Sequence, residues 1–329
     1  SAQIPLRAEL FVLSQSEQVL LLVLHHIAAD GWSMGPLGRD LVRAYAARAQ
    51  GAEPQLPALA VQYADYTLWQ QQLLGSETDP ESLLGGQTAF WTKALEGLPE
   101  QLELPTDRPR PALAGYRGET VPLQISPELH GRLLGVARDN QASLFMGLHA
   151  GLAALLTRLG AGTDIAIGSP IAGRTDHALE ELIGFFVNTL VLRTDTSANP
   201  SFSELLARVR AVDLAAYAHQ ELPFERLVEL LNPVRSLARH PLFQVMLAFQ
   251  NTPETVLELP GIIATSEPIT INTAKFDLLF NLSERRAPDG RPEGIKGLIE
   301  YRTNLFERSS VEAIGRRLAA LLEAVVTDP

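Results

Sequence analysis

The chain has 329 residues, enough for two lobes of ordinary domain size, and its 46% apolar and 20% charged residues exclude wholesale disorder. A formal charge of -11, with no cluster of Lys and Arg to reverse it locally, argues against nucleic acid as a partner. The absence of cysteine excludes a thiolate nucleophile, a disulfide framework and a thiolate zinc site and fits a cytoplasmic setting, while no stretch reaches the ~18 uncharged apolar residues of a membrane span and the first residues carry no secretion signal.

Arg7 to Leu13 and Gln18 to Leu24 predict two strands of a hairpin, joined by the polar turn Ser14-Gln15-Ser16-Glu17. The second run is apolar on both faces, so it is expected inside a sheet. After Trp32 the spacing of Leu37, Leu41 and Tyr45 predicts a helix that ends near Gly51. Two more helices are expected over Val61 to Leu74 and Gln87 to Leu98, separated by the polar insert Gly75 to Gly86. The proline-rich stretch from Leu102 to Gly118 excludes regular structure and places a lobe boundary there, giving lobes 1–112 and 113–329.

In the second lobe a strand near Glu119 to Ile125 precedes a helix capped by Ser126, with Pro127 at its first position. A helix over Ser143 to Leu159 stops at Gly160. Strands follow at Asp164 to Ile167 and Phe185 to Arg193, then helices at Ser201 to His219 and Pro223 to Leu231. Strands at Phe243 to Phe249, Phe276 to Ser283 and Gly294 to Tyr301 lead to a last helix, Ser310 to Val326. The expected fold class is α+β (mixed α/β), without strict strand-helix alternation or a phosphate-binding glycine loop.

The segment His25-His26-Ile27-Ala28-Ala29-Asp30-Gly31-Trp32-Ser33 is the most informative stretch, read either as a catalytic turn or as a strand end whose histidine is packed or solvated. At the end of an extended strand, adjacent histidines point in opposite directions, so only one of them serves a given cleft. Their divergence and the lack of further ligands also argue against a metal site. Asp30 can fold back on the local backbone or pair with a cation. Gly31 tolerates positive φ and leaves its N–H open toward a developing oxyanion. Ser33 is a candidate helix N-cap, with Trp32 packing on Leu37 as a staple.

His25 to Ser33 resembles the HHxxxDG motif of nonribosomal peptide synthetase condensation domains. Tyr63 to Trp69 (Tyr-Ala-Asp-Tyr-Thr-Leu-Trp) is similar to that family's YxDFAVW motif, and Ile183 to Arg193 resembles its IGxFVNT motif. His219-Gln220-Glu221-Leu222-Pro223-Phe224-Glu225 resembles its HQDxPFE motif, and Arg235 to Leu242 its RDxSRNPL motif. Five motifs stand in the family's order.

The resemblance implies two chloramphenicol-acetyltransferase-like lobes in a V-shaped pseudo-dimer, the first incomplete because the family's upstream motifs are absent. It implies peptide-bond formation between a carrier-bound acyl or peptidyl thioester and the amine of a carrier-bound aminoacyl group, in a channel between the lobes. The domain would bind no cofactor of its own; 4'-phosphopantetheine arms of the upstream donor and downstream acceptor peptidyl carrier proteins would deliver both substrates. Adenylation domains would lie adjacent. By the family pattern His26 is catalytic, as a base or by holding the amine, and His25 is structural.

Asp30 would hold the loop through an arginine, for which Arg174 is the candidate; a helix-start cation is the other reading of Arg174. Trp32, Ser33, Asn188, Thr189 and Gln220 are candidates to line or brace the channel, or simply to bond strands to helices. The insert near Leu73 to Gln87 and the run Arg235 to Leu242 resemble the subtype that joins a D-configured donor to an L-configured acceptor, which implies an epimerization domain upstream. An epimerization domain of the same superfamily, and a non-catalytic module that recruits carriers or partners, are the alternatives.

Overall fold

The computed structural model describes residues 4–234, 236–250, 257–267, 269 and 271–329. Arg235, the first residue of the Arg235 to Leu242 motif, lies outside them. The chain forms two compact units: Ser1–Gly75 with Ala172–Val187 and Thr252–Ile269, and Ser76–Ile171 with Asn188–Asn251 and Thr270–Pro329.

The first unit begins with β1 (Leu6–Val12) and β2 (Gln18–Leu24), an antiparallel pair in which Leu6 faces Leu24 and Val12 faces Gln18. The Leu13 and Ser14 amides both donate to the Glu17 carbonyl and close the turn. These strands form a two-stranded sheet, and Val19, Leu20 and Val23 of β2 are exposed, so the expected burial of β2 inside a sheet is not found. An apolar run records which faces favour cover; it does not supply a neighbour.

α1 (Met34–Ala49) follows, then α2 (Tyr63–Leu74), which starts two residues later than the apolar pattern suggests. A reciprocal cap sets that start: the Gln62 amide donates to Asp65, and the Gln62 side chain accepts from the Asp65 amide. A small apolar core of Tyr66, Leu179, Leu182 and Phe186, with Val61 against it, ties α2 to residues 172–187.

The second unit opens with α3 (Leu83–Ala94), four residues earlier than expected. Ser82 accepts from the Gly85 amide, and this cap carries Gly85 and Gly86 into the first helical turn despite their poor propensity. Residues 76–112, assigned from sequence to the first lobe, cluster with this unit because Trp91 and Leu95 sit in one core with Leu190, Leu192 and Phe243. After β3 (Gly118–Ile125) come α4 (Pro127–Asp139) and α5 (Leu144–Arg158), capped by Ser126 and Ser143, with Gly160 at φ +91 just past α5.

The remaining elements are β4 (Asp164–Ile171), β5 (Asn188–Asp195), α6 (Phe202–Ala218), α7 (Phe224–Leu231), β6 (Val245–Gln250), β7 (Leu278–Arg286), β8 (Pro292–Arg302) and α8 (Arg308–Val325). The strands make one mixed sheet in the order β3-β8-β7-β6-β4-β5, with β6 parallel to both β4 and β7. Leu278, Phe280 and Leu282 alternate along β7 into the main core, where Leu148, Leu152 and Leu156 of α5 and Ile314, Leu318 and Leu322 of α8 meet them.

Candidate active site

The residues expected to carry the chemistry lie where β2 ends. His25 is still extended, at φ -73 and ψ 135, and its Nδ1 accepts from the Ile27 amide at 3.1 Å. His26 opens a short 3₁₀ turn, His26–Ala28. Its Nδ1 lies 2.9 Å from the Ala29 carbonyl oxygen. A carbonyl only accepts, so Nδ1 carries a proton, and in the neutral ring Nε2 presents a lone pair. The ring is exposed, and the Phe185 ring stands at 90° to it with centroids 5.0 Å apart.

Below this turn is a buried polar hub built from Asp30, Ser33 and Arg174. Asp30 is 3% exposed. Its Oδ1 accepts from the Ser33 amide at 3.0 Å, the Ser33 hydroxyl at 2.8 Å and Arg174 Nη2 at 3.2 Å. Its Oδ2 accepts from the Phe186 amide at 3.0 Å. Asp30 thus both shapes its own backbone and pairs with a cation. Arg174 also donates to the Leu182 carbonyl at 2.9 Å, to the Leu179 carbonyl and to Ser33 Oγ at 3.0 Å, and its guanidinium lies 4.1 Å from the Phe186 ring centroid. The Arg174 Nε is buried without a hydrogen bond.

Ser33 Oγ has acceptors on two sides, Asp30 Oδ1 at 2.8 Å and the Gly184 carbonyl at 3.0 Å, while the Gly184 amide donates back to it at 3.1 Å. These bonds occupy the hydroxyl, so Ser33 makes no side-chain cap on α1; the expected cap belongs instead to Asp30, on the 3₁₀ turn Gly31–Ser33. Gly31 is exposed and is not among the positive-φ glycines, and a Cβ there would meet nothing within 4 Å. The expected use of positive φ at Gly31 is not found, because a 3₁₀ turn needs negative φ. Trp32 is half-buried on the same turn.

Two neighbours of the site were missed as candidates. Tyr63 donates its hydroxyl to the Phe185 carbonyl at 2.6 Å, and a Cβ on Gly184 would come within 2.3 Å of the Tyr63 ring. Burial, then the Asp30 charge, hold the Tyr63 phenol above its ordinary pKa, so it stays protonated as a donor. The other is Phe185. Both lie inside recognised motifs, which is the signal that was present; which way they point was not.

Asn188, Thr189 and Gln220 belong to the second unit. The Asn188 amide group donates to the Gln220 and Leu222 carbonyls at 2.9 and 2.8 Å, and its oxygen accepts from the Thr189 and Phe224 amides. All its near partners are main chain, so it pins the turn from Gln220 to Phe224. From α3, Gln87 accepts from the Leu222 amide at 2.7 Å and Trp91 donates to the His219 carbonyl at 2.7 Å, bracing the same turn. Thr189 and Gln220 are half-buried. A cleft of about 1000 Å³ elsewhere in this unit, lined in part by Lys93, Leu98, Asn232, Arg239 and Leu242, shares no residue with the His26 site. Among the described residues, no group of three or more His, Asp and Glu is placed to hold a metal ion, and no helix is long and apolar enough to cross a membrane.

The family model described as Condensation domain matches residues 1–329. The chain is 60% identical over all 329 residues to a dimodular nonribosomal peptide synthase of Bacillus subtilis (strain 168), and it spans 14% of that relative's length. It is 40% identical to the X-domain from teicoplanin biosynthesis in that domain's complex with OxyB, with a TM-score of 0.93, covering 100% of this chain and 71% of that one. A four-domain nonribosomal peptide synthetase bound to AMP and glycine is 25% identical with a TM-score of 0.82, over 99% of this chain and 25% of that one. The mixed α/β fold is therefore that of condensation domains.

Proposed function

Because the chain belongs to the condensation-domain family, we propose that it forms a peptide bond between a carrier-bound acyl or peptidyl thioester and the amine of a carrier-bound aminoacyl group. The observation that carries this reading is the state of His26: Nδ1–H is committed to the Ala29 carbonyl, while Nε2 is free on an exposed ring. The acceptor amine attacks the thioester carbonyl carbon, the C–N bond forms, the C–S bond breaks, and the departing sulfur takes up the proton that the amine loses. His26 Nε2 accepts that proton or holds the amine by a hydrogen bond, and the Ala29 carbonyl steadies the ring in either role. Holding the two reactants together supplies up to ~7 to 11 kcal/mol, against ~10² to 10⁴-fold for a positioned base, so placement is the larger share.

In this reading the Asp30–Arg174 pair does no proton transfer. Both Asp30 oxygens are engaged by four donors, and its work is to hold the turn on which His26 stands. The substrates arrive on phosphopantetheine arms of an upstream and a downstream carrier protein, beside adenylation domains. The subtype is the one that joins a D-configured donor to an L-configured acceptor, with an epimerization domain upstream.

A second reading, a recruitment module without catalysis, draws support from the 40% identity to the teicoplanin X-domain, which is seen bound to OxyB. The test for both is product formation from a donor-loaded and an acceptor-loaded carrier protein, in the protein that carries this chain. His26→Ala is expected to lower turnover about 10² to 10⁴-fold. Unchanged turnover removes His26 from the mechanism, and no product from the parent protein favours recruitment. Solvent deuterium appearing at the donor α-carbon would instead mark epimerization.

A further inference from the structure

The first unit places an aromatic ring against His26 and then pins every peptide that aims that ring. The Gly184 amide donates to Ser33 Oγ at 3.1 Å, and the Gly184 carbonyl lies 3.0 Å from the same oxygen. The Phe185 carbonyl accepts from the Tyr63 hydroxyl at 2.6 Å, and the next amide, Phe186 N–H, is held by Asp30 Oδ2 at 3.0 Å. Three consecutive residues, Gly184 and Phe186 buried and Phe185 half-buried, are thus tied by side chains from elsewhere in the chain. The outcome is a fixed Cα–Cβ direction at Phe185, which points its ring at right angles to the imidazole with centroids 5.0 Å apart.

His26 needs such a neighbour. It lies on a three-residue turn, its ring is exposed, and its one hydrogen bond, from Nδ1 to Ala29, competes with water. A single surface hydrogen bond leaves the ring free to flip or rotate, and each such state turns Nε2 away from a fixed direction. A second restraint on the ring plane removes those states. We infer that Phe185 is a positioning residue for His26, with Tyr63 as the anchor that holds Phe185 in place. This inference rests on the proposed role of His26.

Two measurements test it. In the chain labelled at histidine nitrogen and carbon, the His26 ring signals report tautomer and ring-current environment. In the protein that carries the chain, amide formation gives kcat and KM for the acceptor-loaded carrier. Phe185→Ala is expected to lower kcat about 10-fold with KM changed less than about twofold, and to shift the His26 ring signals toward a mixture of tautomers. Phe185→Tyr is expected to restore both, and Tyr63→Phe to move both partway in the direction of Phe185→Ala. Phe185→Leu replaces the alanine variant if that one fails to fold.

Unchanged kcat together with unchanged His26 signals in Phe185→Ala overturns the inference. So does a loss confined to KM, or one whose size follows the acceptor side chain, because Phe185 would then be a pocket wall. His26→Ala separates the two failures. If it retains turnover, the functional reading falls while the signal shifts still report on ring position. If it abolishes turnover and Phe185→Ala changes neither readout, the inference alone falls.

Discussion

Removing Arg174 tests whether the polar hub is one cooperative unit. In Arg174→Met the Asp30 carboxylate stays buried and loses its only cationic donor among the described residues, but it keeps the Ser33 amide, the Ser33 hydroxyl and the Phe186 amide. Breaking a buried pair from one side costs about 3–5 kcal/mol, and three surviving donors place this variant at about 3. In Asp30→Ala the guanidinium keeps the Leu179 and Leu182 carbonyls, Ser33 Oγ and the Phe186 ring but loses its carboxylate, while the Phe186 N–H is orphaned. That variant is expected at about 5 kcal/mol, the upper end of the range, because the Phe186 N–H also loses its acceptor.

The double variant removes both charges, leaving only neutral groups to rehydrate, so it is expected to cost about 5 kcal/mol rather than the sum of about 8, a coupling near 3. Urea denaturation followed by tryptophan emission measures this, with Trp32 and Trp69 in the first unit and Trp91 in the second. Because the side chains are only 4% and 0% exposed, the coupling should persist in high salt. Single-variant costs that add to within about 0.5 kcal/mol would refute a shared network.

Gly173→Ala is expected to destabilise by at least about 2 kcal/mol, since its φ is +65 and a Cβ would lie 1.8 Å from the Phe186 carbonyl oxygen; Gly31→Ala, with open space around it, should change stability by less than about 0.5. Comparing the two by thermal unfolding checks both, and equal effects would contradict the backbone geometry. His240 gives a pH dependence. Burial first, then Lys275 and Arg302, push its pKa down from 6.5 to about 4, among Phe224, Phe243 and Phe276. The unfolded chain binds this proton below about pH 6.5 and the folded chain only below about 4, so the stability is complete above pH 6.5. It falls by about 3 kcal/mol as pH drops to 4. His240→Asn is expected to lose that part of the slope between pH 7 and 4 in denaturation measured across the range; an unchanged slope would show that His240 is not the group.

Much of the fold could be read because its signals are local. Ser126 followed by Pro127, Ser143, and Gly160 each mark a helix end through one residue's own chemistry, and each end lies within two residues of that mark. The early start of α3 went unseen because two glycines in sequence read as a breaker, and only the bond from the Gly85 amide to Ser82 overrides them. β5 was expected from Phe185 but starts at Asn188. The residues before it carry strand-like composition, yet their amides and carbonyls are taken by Asp30, Ser33 and Tyr63 across more than 100 positions of sequence. No local period reports such a commitment. The same distance explains why Asp30 and Ser33 were legible as a turn while Tyr63 and Phe185, whose meaning is their contact with residues far away, were not.

The site also corrects an intuition that its spacing invites. A histidine and an aspartate four residues apart suggest a dyad in which the acid charges the base, as in a hydrolase triad. Here the His26 Nδ1–H meets the neutral Ala29 carbonyl, and the Asp30 oxygens are turned inward onto two amides, a hydroxyl and a guanidinium. The aspartate orders the backbone under the ring and makes no contact with the imidazole nitrogen. The reaction proposed at His26 therefore draws mainly on how firmly the ring and the incoming amine are placed. That is the demand for which a buried ion pair beneath the turn, and a pinned aromatic ring beside it, are suited.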